Sequence, residues 1–92
     1  MNTYLVTYDL RKHETASDYV DLISFLKTYP KWAKLQQSTW LIKTTQEIGD
    51  ARTAIRQNLD SNDKLLVIDV SGANWATFNQ SKKIVDWMRS NV

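Results

Sequence analysis

An aspartate, Asp9, closes a short run of β-branched and aromatic residues, TYLVTYD at positions 3–9, and Arg11, Lys12 and His13 follow it closely. A carboxylate at a strand end, beside a hydroxyl and a basic loop, suits a hard cation held through oxygen. Mg²⁺ keeps several of its own waters, so one or two carboxylates suffice, and Mn²⁺ can substitute. Such an ion polarises a phosphodiester and lowers the pKa of a bound water, with Arg11 or His13 left to contact phosphate. A second role is open to Asp9: accepting backbone N–H groups of its own loop, as strand-end aspartates do. Asp63, in the run Asp60-Ser61-Asn62-Asp63, reads as a turn residue of that kind, and His13 as a solvated loop residue. Ser38 reads as a turn hydroxyl.

Other chemistries are poorly served. The chain has no Cys, which removes disulfides, thiolate nucleophiles and cysteine zinc sites and agrees with a reducing, cytoplasmic setting. Its one His cannot build a His-rich metal site. Thr7, Ser24 and Ser71 have no base placed beside them, so a Ser/His/Asp hydrolase is disfavoured. The apolar runs are too short to span a bilayer, and no membrane role is expected.

A net charge of +2 does not demand nucleic acid, but its distribution is uneven. Between Leu22 and Gln46 there are Lys27, Lys31, Lys34 and Lys43 and no acid, a local charge of +4. Beside Tyr29, Trp32 and Trp40, Lys31 and Lys34 could track phosphates of RNA or DNA while the rings stack on bases. Equally, lysines solvate strand edges and aromatic residues fill cores.

The elements that would position these groups follow from periodicity. Residues 3–9 read as a central strand buried on both faces. Ser17 to Tyr29 carries Tyr19, Leu22, Ile23 and Leu26 at helical spacing and stops at Pro30, with Thr15–Asp18 as a capping box or Ser17 as the cap. Residues 32–35 and 39–44 read as a hairpin. Ile48, Ala51, Ile55 and Leu59 mark a second helix, with acids at its start and arginines later. Residues 64–70 form another strand, and 80–91 a C-terminal helix after a loop around Trp75. Trp75, Trp87 and Met88 are candidate anchors for a protein partner.

The resulting β-α-β-β-α-β string predicts an α+β, ferredoxin-like sandwich in a single domain, 1–92, with a core at 1–70 and a C-terminal loop and helix at 71–92. Right-handed crossovers place strands one and four side by side, with strand three on the other flank of strand one. The Asp9 end of strand one then lies beside Ser38-Thr39 and Asp63-Lys64, while Asp69 falls at the opposite end.

The segments YLVTYDL, DYVDLISFLKTYP, LQQSTWLIKT and NDKLLVIDV, together and in this order, resemble the small CRISPR-associated protein two family. SinR-like proteins and virulence-associated protein D-like ribonucleases share the pattern. The resemblance covers about residues 3 to 70. It implies a homodimer whose open sheet faces meet, with the first-strand aspartate of each copy facing a shared cleft. Asp9 would be the Mg²⁺ ligand and catalytic residue, Ser38 would lie near the scissile phosphate, and Arg11, with Lys12 beside it, would line the cleft. The family serves antiviral defence as a platform that bridges integrase subunits and touches DNA backbone, and only some members are endonucleases. The sequence departs from the family after Val70, where a fifth strand is usual and a helix is expected here.

Overall fold

A computed structural model describes residues 1–13 and 17–92. The Thr15–Asp18 capping box lies outside the described residues. The chain forms β1 (Asn2–Asp9), a 3₁₀ turn (Ser17–Tyr19), α1 (Val20–Leu26), β2 (Lys31–Gln36), β3 (Thr39–Thr44), α2 (Ile48–Arg56), β4 (Lys64–Asp69) and α3 (Lys82–Asn91). The four strands make one antiparallel sheet in the order β2-β3-β1-β4. This is the α+β, ferredoxin-like arrangement that the sequence predicts, with a C-terminal helix added.

Strand alternation sorts the sheet into two faces. Tyr4, Val6 and Tyr8 of β1, with Trp40 and Ile42 of β3, join Tyr19, Leu22 and Leu26 of the first helical segment and Ala51 and Ile55 of α2 in the main core. Trp40 is fully buried, and its indole N–H donates to the Tyr8 hydroxyl at 2.9 Å. That bond satisfies a polar group that water cannot reach.

The second face is covered unevenly. Ala33 and Leu41, cross-strand partners in the sheet, are buried outside the main core cluster. Alternation places them on this face, and α3 packs over β2. The Thr3 hydroxyl donates to the Asn91 carbonyl at one end of α3. At the other end the Gln80 side chain donates to the Leu35 carbonyl at 3.5 Å. Ser81 caps α3, its hydroxyl accepting the Ile84 N–H at 3.2 Å. Met88 is buried and Trp75 and Trp87 are half-buried. Over the β1–β4 half, Leu5 and Thr7 are half-buried and Leu66 and Ile68 exposed. The first strand is therefore closed on its helical side and only partly covered on the other.

Two details differ from periodicity. The first helix begins as a 3₁₀ turn and ends at Leu26. Its N-cap is Tyr19, with no side-chain cap bond. Ile48, expected in the buried stripe, is exposed at the start of α2, where Glu47 is the N-cap.

Removing the Tyr8 hydroxyl tests the core. Tyr8→Phe leaves the buried indole N–H of Trp40 without its acceptor and is expected to cost about 1–3 kcal/mol in urea unfolding. An unchanged midpoint and slope would show that this bond carries no weight.

Candidate functional site

One end of the sheet gathers the exit of β1, the β2–β3 turn and the start of β4. Asp9 and Lys64 are cross-strand partners there. Both are exposed, and they border an open hollow of about 200 Å³ whose other lining residues include Thr7 and Leu66. Among the described residues no hydrogen bond or ion pair reaches the Asp9 carboxylate.

Asp63 carries the backbone-binding role that was open to Asp9. Its Oδ1 accepts the Arg11 N–H at 2.7 Å and the Tyr19 hydroxyl at 3.0 Å, and its Oδ2 accepts the Asp60 N–H at 2.7 Å. The Tyr19 hydroxyl also accepts the Lys12 N–H at 3.2 Å. One carboxylate thus ties the loop after β1 to the start of α1 and to the turn before β4. Partial burial works to raise the Asp63 pKa, but the N–H groups of Arg11 and Asp60, the Tyr19 hydroxyl and the Arg11 charge outweigh it and hold the carboxyl below its ordinary range. Burial, opposed by the Lys12 N–H and aided by the Asp63 carboxylate, raises the Tyr19 pKa.

The other expected residues spread over the molecule. Arg11 is ion-paired with Asp60 at 3.2 Å, so its charge is partly committed within the chain. Lys12 and His13 are exposed in the same loop. The Ser38 carbonyl accepts the Tyr8 N–H at 3.1 Å, which sets Ser38 level with Tyr8 rather than Asp9. Alternation gives Asp9 a different pair of hydroxyl neighbours: Thr7 and Thr39 are cross-strand partners, with hydroxyl oxygens 3.3 Å apart. The 3, 5, 7, 9 periodicity could have marked Thr7, but Thr39 required the register.

The lysine stretch divides by face and by end. Lys31 pairs with Lys43, which pairs with Thr3, six residues along β1 from Asp9 and so about 20 Å away at strand rise. Those lysines lie at the α3 C-terminal end, where positive charge complements the helix dipole. Lys34 lies on the other face, its ammonium 5.6 Å from the centre of the buried Trp40 ring. Lys27 lies 5.5 Å over Trp32, whose ring packs 5.5 Å from that of Trp40. Trp40 is a core residue, and Tyr29 is buried with its hydroxyl 3.0 Å from Gln46 Oε1. Only the partly exposed Trp32 keeps ring surface for stacking. Asp69, held by the Ser71 N–H at 2.9 Å, lies at the far end of β4 as expected.

Among the described residues, no group of three or more His, Cys or acidic side chains could hold a metal. Among the described residues of one chain, this end offers a single unengaged carboxylate, a donor set that fits a largely hydrated Mg²⁺ and no tighter site. No described helix is long and apolar enough to cross a membrane.

No family model and no curated protein matches the chain. Among solved structures, the fold is similar to that of a hypothetical protein, TT1823, from Thermus thermophilus. The TM-score is 0.64 at 24% identity, covering 87% of this chain and 94% of that one. This likeness shows the fold alone.

The Asp63 clasp has a pH signature. Because its folded pKa is lowered, its stabilisation is complete above the unfolded value, about 3.9, and is lost as pH falls through the folded value. Asp63→Asn should lower Tm at pH 7 by on the order of 5 °C, with the gap from wild type closing toward pH 3. A gap independent of pH would contradict the assignment.

Proposed function

We propose that the protein is a relative of the CRISPR-associated protein two family and acts on RNA or DNA as a metal-dependent endonuclease, two copies supplying their Asp9 carboxylates to one cleft. The observation that carries this reading is the freedom of Asp9. It is an exposed strand-end carboxylate with no partner among the described residues, while Asp63 ties the loop that would otherwise use it. An unneutralised carboxylate is available to a cation, whereas one accepting several backbone N–H bonds must exchange them for metal coordination.

The pairing surface fits the β1–β4 half of the second face. There α3 leaves Leu66 and Ile68 exposed beside Leu5, Thr7 and Asp9. Burying those side chains against a second copy would provide apolar contact area. In such a cleft, Mg²⁺ held by the Asp9 pair, or Mn²⁺ in its place, would supply charge stabilisation and an acidified water. The chain's own residues would hold and orient the strand: Lys64 opposite Asp9 to meet phosphate, and the Thr7 and Thr39 hydroxyls to donate to phosphate or metal-bound water. Ser38, level with Tyr8, would contribute from the turn. The absence of disulfide chemistry suits a cytoplasmic setting.

A non-catalytic dimeric scaffold that binds nucleic-acid backbone, with an integrase-type protein as a further partner, is the second reading. It is favoured by the commitment of Arg11 to Asp60 and by the absence, among the described residues, of any group of three or more acids, His or Cys that could hold a metal.

Asp9→Asn keeps size and polarity at an exposed position. Metal-dependent cleavage by the variant should fall by at least about 100-fold, the loss associated with removing a principal electrostatic group, with dimerisation and salt-sensitive binding retained. Wild-type cleavage by the purified variant would refute the endonuclease. Binding without turnover in both proteins would select the scaffold.

A further inference from the structure

A second polar concavity lies behind the Asp63 turn. Its volume is about 560 Å³, and its walls include Arg52, Arg56, Gln57, Asp60, Ser61 and Asp63. We infer that this concavity binds a phosphate monoester on a nucleotide-sized body, with Arg52 and Arg56 as its anion clamp. This site stands apart from the Asp9 reading and does not depend on it.

Arg52 and Arg56 are one helical turn apart on α2, so both guanidinium groups lie over the same surface. Both are exposed, and neither has a carboxylate partner among the described residues; the polar contact of Arg52 is Thr53 Oγ1 at 3.4 Å. The helix dipole accounts for a cation in the last turn, where Arg56 sits, but not for Arg52 a turn earlier.

The acids facing the arginines are already engaged. Asp63 accepts three hydrogen bonds, and Asp60 pairs with Arg11. Counting Arg11, three guanidinium groups share two carboxylates, a local excess of one positive charge, and the two groups on α2 are those with no direct ion pair among the described residues.

A pair of forked guanidinium donors suits the tetrahedral oxygens of phosphate, which accept bidentate hydrogen bonds. A monoester carries about −1.5 to −2 charges at pH 7, more than a diester linkage within a strand, and so gains more from two adjacent cations. The volume lies within the roughly 300–1,000 Å³ range of small-ligand sites and far exceeds that of phosphate alone. Leu59 and Leu65 complete the lining with apolar surface against which a sugar or base can lie. A free mononucleotide and the phosphorylated terminus of an oligonucleotide both present this chemistry.

The test follows backbone amide resonances of the ¹⁵N-labelled full chain at low salt, titrated with AMP, adenosine and a short single strand with or without a 5′-phosphate. AMP should shift signals of residues 52–63 saturably, and adenosine should not. Tighter binding of AMP identifies a free nucleotide, and tighter binding of the phosphorylated strand over its unphosphorylated form identifies a strand end. The Arg52→Gln/Arg56→Gln double variant should bind at least tenfold more weakly, and Asp9→Asn should bind as wild type does. No saturable shift with AMP or the phosphorylated strand, equal shifts with adenosine, or undiminished affinity in a folded double variant would overturn the inference. The adenosine comparison uses wild-type protein, so the test stands even if the double variant does not fold.

Discussion

The carboxylate of Asp63 is the constraint on which the Asp9 end of the sheet depends. Three segments meet there: the chain leaving β1, the start of the first helix and the turn before β4. Each brings polar groups that need partners. Asp63 accepts from Arg11, Tyr19 and Asp60 together, and Arg11 returns to Asp60. Two aspartates, an arginine and a tyrosine thus form one local network. Two consequences reach the proposed chemistry. Asp9 is spared from binding its own loop, and the arginines of α2 face acids that are already occupied.

The C-terminal helix is the second determinant. In a sandwich with helices on one side, the other sheet face must be covered or paired. Here α3 takes the β2–β3 side through Ala33, Leu41 and the Thr3–Asn91 bond. It leaves the β1–β4 side with Leu66 and Ile68 exposed. On this helix Met88 is buried and Trp87 half-buried. A second copy would meet what remains open, and Asp9 stands at its end.

The fold was largely legible because periodicity and turn chemistry agree. TYLVTYD, the Tyr19-Leu22-Ile23-Leu26 spacing and the Asp60–Asp63 turn each point to one local structure, and crossover handedness orders the strands. The site was legible only in part. Asp9 at a strand end and Asp63 in a turn follow from local sequence. The reach of Asp63 to Arg11 and Tyr19, 52 and 44 residues away, does not. Lys31 and Lys34, three residues apart in β2, fall on opposite faces by simple alternation, and the bulge comes only after Lys34. The Thr7–Thr39 pair depends on strand register, which no single segment encodes. Arg52 and Arg56 read as partners of the helix dipole until the fold sets them over a concavity.

Paramagnetic relaxation by Mn²⁺ locates a bound ion on the protein without requiring turnover. In the ¹⁵N-labelled protein, substoichiometric Mn²⁺ should broaden the amide signals around Asp9, Thr7, Thr39 and Lys64 first, and Asp9→Asn should abolish that focus. Broadening centred on Asp60 or Asp69, or a pattern unchanged in the variant, would contradict the assignment of Asp9 as the metal-binding carboxylate.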